Sequence, residues 1–208
     1  DNISISKLLR GTERKGNDIF YNNVLTDIIA SYIAFRAGDN YTQLLDRVFQ
    51  DKIKIQNQVH FELHRQTGPK THAEYGKLQT RASYSFMITR KDLLRVAVAM
   101  MQDYQTNTCV GKYLRTVQAQ AKKWPKYRPS GERSSLWMHN YAKKYGAQFY
   151  FDFHRMKDRN IFGTEGYNGQ NMLIDMDNSR IVVTQSAATA WDQRTYVLNV
   201  IKEGKLPK

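Results

Sequence analysis

Cysteine is nearly missing from this chain: one residue, Cys109, occurs in 208. A single thiol excludes an internal disulfide and any cysteine-built zinc centre, and it leaves the redox compartment open. Proline is scarce as well, at 4 residues, and no apolar run reaches the roughly 18 residues that a membrane-spanning helix needs. Acidic residues are few, 19 against 32 Lys and Arg, so the formal net charge is +13 and the pI is near 9.8. The opening residues show neither an initiator Met nor a charged-then-apolar secretion signal, and a piece of a longer polypeptide is expected.

What is present is a globular composition. Hydrophobic residues make up 41% and aromatics 12%, enough for one large or two small domains with a buried core. The positive charge is concentrated in residues 112–144, where Lys112, Arg115, Lys122, Lys123, Lys126, Arg128, Arg133, Lys143 and Lys144 face only Glu132. Tyr113, Trp124, Tyr127, Trp137 and Tyr141 are interleaved there, and cations alternating with aromatics suit a single-stranded nucleic acid. The plainer reading is a solvated basic face, and no RNP, KH or helix-turn-helix signature argues otherwise.

Periodicity predicts a helix over 24–37, with Val24, Leu25, Ile28, Ile29, Tyr32 and Ile33 at helical spacing and Gly38 as a left-handed stop. A shorter helix carrying Leu44, Leu45, Val48 and Phe49 follows, and residues 51–86 read as an irregular excursion with short strands at best. Thr89 and Asp92 open a strong helix through Met101, both placed to satisfy early backbone N–H groups. Beyond the basic segment the period changes to two. Residues 145–153, 170–175 and 180–185 read as strands, with a tight turn over 176–179 and a closing helix over 191–202. The expectation is an α+β (mixed) chain: a mostly helical region over 1–144, then an antiparallel sheet over 145–208 with a C-terminal helix.

Four constellations could carry chemistry. Ser4 and Lys7 have the Ser-x-x-Lys spacing of a hydrolase nucleophile and its base, but both residues are common and a helix N-cap spells the same pattern. His60-Phe61-Glu62-Leu63-His64 superficially suggests a zinc protease, yet the Glu is misplaced and no helix is evident to align the two imidazoles, so no metal is expected. Gly163, Gly166 and Gly169 run into a strand rather than a helix, which disfavours a phosphate loop and favours close backbone approach. Tyr21-Asn22-Asn23 sets a phenol and an amide before the first helix, groups able to shuttle a proton and bind a carbonyl, or equally a cap beside a packed tyrosine.

The order of these elements is more informative than any one of them. The run ISISKLLRG, then IFYNNVLTDIIASYIAFRAG, then YTQLLDRVFQDKI, with MITRKDLLRVAVAMMQD and GYNGQNMLIDMDNSRIVVTQSA later, resembles the serine β-lactamase and penicillin-binding-protein hydrolases. The likeness is to the class C β-lactamase, esterase and 6-aminohexanoate-dimer hydrolase type. It implies a β-lactamase/transpeptidase-like fold, no cofactor, and cleavage of a small amide or ester through an acyl-enzyme. In the family the Ser-x-x-Lys lies far upstream of Tyr-x-Asn. By that comparison Ser4 is a cap, and the catalytic serine and lysine are expected before Asp1.

By the same resemblance Tyr21 is the phenol that takes the serine proton and returns it to the leaving group, and Asn23 orients the lysine and the substrate carbonyl. Thr164-Glu165-Gly166 falls where β-lactamases carry Lys-Thr-Gly, and the absent lysine disfavours penicillin-like carboxylates. Tyr167 is expected to donate its backbone N–H to the oxyanion, with Asn168 and Gly169 beside it at the substrate and glycines keeping the approach clear. Two alternatives stand: an inactive hydrolase-fold binding domain, and a basic nucleic-acid-binding module using residues 112–144. Compartment and oligomeric state are not set by the sequence.

Overall fold

The computed structural model describes residues 23–57, 60–61, 63–65, 78–80, 86–125, 137–188 and 191–205. It is a mixture of helices and antiparallel sheet, an α+β chain, and it divides into two compact units at the bond between Asp92 and Leu93.

The unit drawn from Tyr21–Asp92 begins with α1 (Asn23–Ala37), which stops where Gly38 turns to φ +54. A glycine is suited to that left-handed conformation because it has no Cβ to clash. The helix carries apolar residues around its whole circumference, so one packing face cannot cover them. Ile28, Tyr32, Ile33 and Phe35, three of them expected in its buried stripe or beside it, are exposed. Next comes α2 (Tyr41–Asp46), continued by a wide π-helical turn over Arg47–Lys52, and Phe49 from that turn meets Phe86 with ring centroids 5.6 Å apart. Among its described residues the excursion carries short strands: β1 (His60–Phe61) pairs with β4 (Phe86–Met87), and β2 (Leu63–Arg65) pairs with β3 (Leu78–Thr80). The His60–His64 stretch is therefore extended where it is described, without the helical face that a zinc pair needs.

Asp92 closes this unit, and differently from expectation. Thr89 Oγ1 does accept from the Asp92 N–H, at 3.2 Å. The Asp92 carboxylate instead reaches back in space to accept from Gln56 N at 2.9 Å, Asn57 N at 3.1 Å, Asn57 Nδ2 at 2.7 Å and Thr89 Oγ1 at 2.9 Å. Burial opposes its ionisation, but these donors outweigh it and hold the carboxyl far below the usual carboxylate range.

The unit from Leu93 onward is built on one six-stranded antiparallel meander, in order β10-β9-β8-β7-β6-β5. Its strands are β5 (Lys122–Lys123), β6 (Ala142–Gly146), β7 (Phe149–Phe153), β8 (Ile161–Gly166), β9 (Gln170–Asp175) and β10 (Arg180–Thr184). Three strands were expected. The sheet is wider because residues 145–153 are not one strand: Ala147 and Gln148, at φ +46 and +71, turn the chain back on itself. Two consecutive left-handed residues match the twist of a tight hairpin, and neither is the Gly or Asn that would announce it.

Alternation places the two cores. Leu114 and Val117 of α4 (Cys109–Gln120) cover one face with Phe151, Phe162, Met172 and Ile174, joined by Ala97 and Met100 of α3 (Arg90–Gln105). The other face holds Trp124, Met138, Tyr150, Phe153, Ile161 and Leu173 under Val197, Leu198 and Ile201 of the closing helical segment, which ends in α5 (Asn199–Glu203). Phe151 and Phe153 face opposite sides although two apart, because Asp152 at φ +52 breaks the pleat. Gly163 is required by packing: a Cβ there would stand 2.6 Å from the Phe153 ring. Asp192 starts the last segment by accepting from Thr195 N at 3.1 Å.

Candidate functional site

The β8–β9 hairpin gathers most of the residues singled out in sequence. In register, Thr164 opposes Met172, Glu165 opposes Asn171 and Gly166 opposes Gln170, leaving Tyr167, Asn168 and Gly169 as the turn. Asn168 at φ +61 and Gly169 at φ +82 are both left-handed. The turn is anchored from behind. Thr184 Oγ1 donates to Gly169 O at 3.0 Å and accepts from Asn171 Nδ2 at 3.2 Å, while Gln170 Nε2 donates to Ser186 O. A Cβ on Gly169 would lie 2.7 Å from the Trp191 ring, and one on Gly166 would lie 2.9 Å from Gln170 Cβ. Both glycines thus have a reason within the fold, in addition to the open approach for which they were chosen.

Tyr167 projects from this hairpin with 73% of its surface exposed. Among the described residues no backbone carbonyl accepts from its N–H. A turn amide with no carbonyl partner among the described residues is a donor for an incoming oxygen.

Glu165 is placed otherwise than a substrate-facing residue. Its side chain is 4% exposed, on the face of the sheet that holds Gly163 and Leu173. One oxygen, Oε2, accepts from both the backbone N–H and the Nδ1 of His139, each at 2.8 Å. His139 sits in a 3₁₀ turn over Met138–Tyr141, with its ring among Trp124, Trp137 and Tyr150 at centroid distances of 6.2, 6.0 and 6.1 Å. A carboxylate on Nδ1 fixes the proton there and leaves Nε2 as the basic nitrogen. The imidazole is 23% exposed. His139 is the functional candidate that sequence reasoning missed. It stands 26 positions before Glu165, and only the sheet register brings the two together.

Three buried acceptors of this hairpin have no donor among the described residues: Glu165 Oε1, Asn168 Oδ1 and Asn171 Oδ1. Buried oxygens without donors are uncommon enough in folded proteins to require an account.

Tyr21 lies outside the described residues, as do Ser4 and Lys7. Asn23 is the first residue of α1 and belongs to the other compact unit. No group of three or more His, Cys, Asp or Glu among the described residues is placed to hold a metal, and no helix there is long and apolar enough to cross a membrane. In the basic segment Trp124 and Tyr141 are core residues. Arg115 is spent on Tyr104 O, Asn107 and the face of the Tyr104 ring, and Lys144 pairs with Asp152 at 2.8 Å. No protein-family model, curated protein or solved structure matches the chain.

Proposed function

We propose that this chain forms part of a serine acyl hydrolase of the β-lactamase/transpeptidase type, cleaving a small amide or ester through an acyl-enzyme. The observation that carries the reading is the end of β8, where the exposed turn residue Tyr167, its N–H bonded to no backbone carbonyl among the described residues, sits on a hairpin held by Thr184. A carbonyl oxygen laid against that amide gains a donor as it becomes an oxyanion, and the donor is already oriented before the reaction begins.

The nucleophile is a serine outside the described residues. Its Oγ bonds to the carbonyl carbon while the Tyr21 phenolate takes its proton. The C–N or C–O bond then breaks, and the same phenol returns the proton to the leaving amine or alcohol. Water attacks the acyl-enzyme by the reverse relay, releasing the acid and restoring the serine. By the family resemblance, Asn23 is the residue assigned to orient the lysine and the substrate carbonyl. Thr164, Gly166, Asn168 and Gly169 shape the wall along which the acyl chain lies. Glu165 acts from beneath that wall by holding His139, whose Nε2 adds a basic group beside the strand end.

Two substitutions in the full-length protein test this on a nitrophenyl ester. Tyr21→Phe is expected to lower kcat by about 10²–10⁴. Tyr167→Pro removes the amide hydrogen along with the phenol ring and is expected to cost about 10²–10³, while Tyr167→Ala, which loses the same ring but keeps the amide, leaves turnover nearly unchanged. Unaltered turnover in Tyr21→Phe ends the proposal.

A further inference from the structure

We infer that the unit from Leu93 onward carries a second binding site, a pocket for a phosphate-bearing ligand between the β7–β8 connection and the closing helical segment. The pocket encloses about 200 Å³ and is lined by His154, Arg155, Arg194, Asn199 and Lys202 around the floor residue Tyr141. No acidic side chain lines it.

The charge on its wall is uncompensated. Arg155 and Arg194 are exposed, and among the described residues neither guanidinium has a hydrogen-bonding or ion-pair partner. Lys202 is the exception, its ammonium lying 2.9 Å from Glu203 Oε1. The neighbouring arginines show what the fold does with cations it needs for itself. Arg159 and Arg180 both reach the carbonyls of Ile201 and Lys202, and Arg159 also holds Asp175. Arg155 and Arg194, on the same side of the sheet, are left facing a cavity instead.

The ligand class follows from charge and shape. One carboxylate would satisfy one guanidinium and leave the second opposed to nothing. A phosphate monoester carries about −1.5 to −2 near neutral pH and offers three oxygens, which suits two forked guanidinium donors and the amide of Asn199. His154 lines the same wall: burial first, then the charges of Arg155 and Lys143, push its pKa down. The site is separate from the hydrolytic one. The pocket adjoins the residues before Ile161, and Tyr167 follows the other end of β8, a six-residue strand spanning about 17 Å.

A free phosphate ester and the headgroup of an anionic lipid share this chemistry, and the test separates them. Glycerol 3-phosphate is titrated into the full chain by calorimetry, and flotation is measured on vesicles with and without 30% phosphatidylglycerol, roughly as used for surface-potential work. Saturable one-to-one binding is expected. Arg155→Gln and Arg194→Gln should each weaken it about tenfold or more, the range for lost charge-assisted hydrogen bonds. Lys112→Gln, an equal loss of charge at an exposed position on α4, should change it less than about twofold. Flotation that needs both arginines but is not competed by glycerol 3-phosphate assigns the headgroup, and competition assigns the soluble ester. Both arginines are exposed and unbonded, so unchanged melting of the variants verifies folding. No saturable binding of glycerol 3-phosphate at millimolar concentration together with no arginine-dependent flotation, or equal weakening by Lys112→Gln, overturns the site and leaves only the attraction of a +13 chain for anions.

Discussion

Arg159 is the residue whose loss should cost this fold most for the atoms removed. Its Nε donates to Asp175 Oδ2 at 2.7 Å, its Nη2 to the same oxygen and to Ile201 O, and its Nη1 to Lys202 O at 3.2 Å. Asp175 is 0% exposed. In Arg159→Met that carboxylate keeps Asp177 N, Asn178 N and Asn178 Nδ2 as donors, but it loses its counter-charge. Breaking a buried pair from one side costs about 3–5 kcal/mol. The surviving donors put the expected loss at the low end, about 3 kcal/mol, and for a chain of this size that lowers Tm by roughly 6–12 °C. Urea unfolding followed by circular dichroism measures it, with Asp175→Asn made in both backgrounds. Because Asn at 175 removes the stranded charge, the double variant should be more stable than the two single losses added together, by at least about 1 kcal/mol. A loss under about 1 kcal/mol in Arg159→Met, or strict additivity, would show that the turn donors alone sustain the Asp175 charge.

Two further outcomes follow from the same reasoning. Asp92 has a folded pKa below its unfolded value, so its contribution is complete above the unfolded value of about 3.9 and is lost as pH falls from about 5 towards the folded pKa. Asp92→Asn should therefore flatten the acid limb of stability against pH and lower stability at pH 7 by about 2–4 kcal/mol; an unchanged acid limb in urea unfolding at pH 3 and 7 refutes this. Gly169→Ala should destabilise by about 1–3 kcal/mol, since alanine is strained at φ +82 and its Cβ would press on Trp191. A neutral result by thermal melting would mean that the turn can open without loss.

Local chemistry made part of this fold legible. The stop at Gly38, the head of α3 at Thr89 and the turn over Met176–Ser179 each depend on a few consecutive residues, and each falls where the sequence put it. What escaped was set by contacts across the chain. The apolar stripe of α4, Gly111, Leu114 and Val117, is thin among cations, and the segment therefore read as charge rather than as a helix. The Ala147-Gln148 turn is imposed by the pairing of β6 with β7 rather than by turn residues. The candidate site divides in the same way. Its glycines and Tyr167 were readable because a hairpin is local, whereas His139 was not, since its partner arrives through the fold of the sheet.

The two ends of β8 are built on opposite terms. Before Ile161 the polar groups are matched: Arg159 meets the buried Asp175, and Asn160 donates to the exposed Asp177 through N at 2.7 Å and Nδ2 at 2.8 Å. After Thr164 the balance reverses, and the acceptors Glu165 Oε1, Asn168 Oδ1 and Asn171 Oδ1 are buried without donors among the described residues. Each such oxygen costs about 1–3 kcal/mol, a sizeable share of the stability of a single domain. A hairpin that only had to turn the chain would gain by replacing them with apolar side chains of similar shape. These three oxygens sit at the end of β8 that leads into the exposed Tyr167 and holds His139, so the cost in stability falls on the same hairpin as the proposed site.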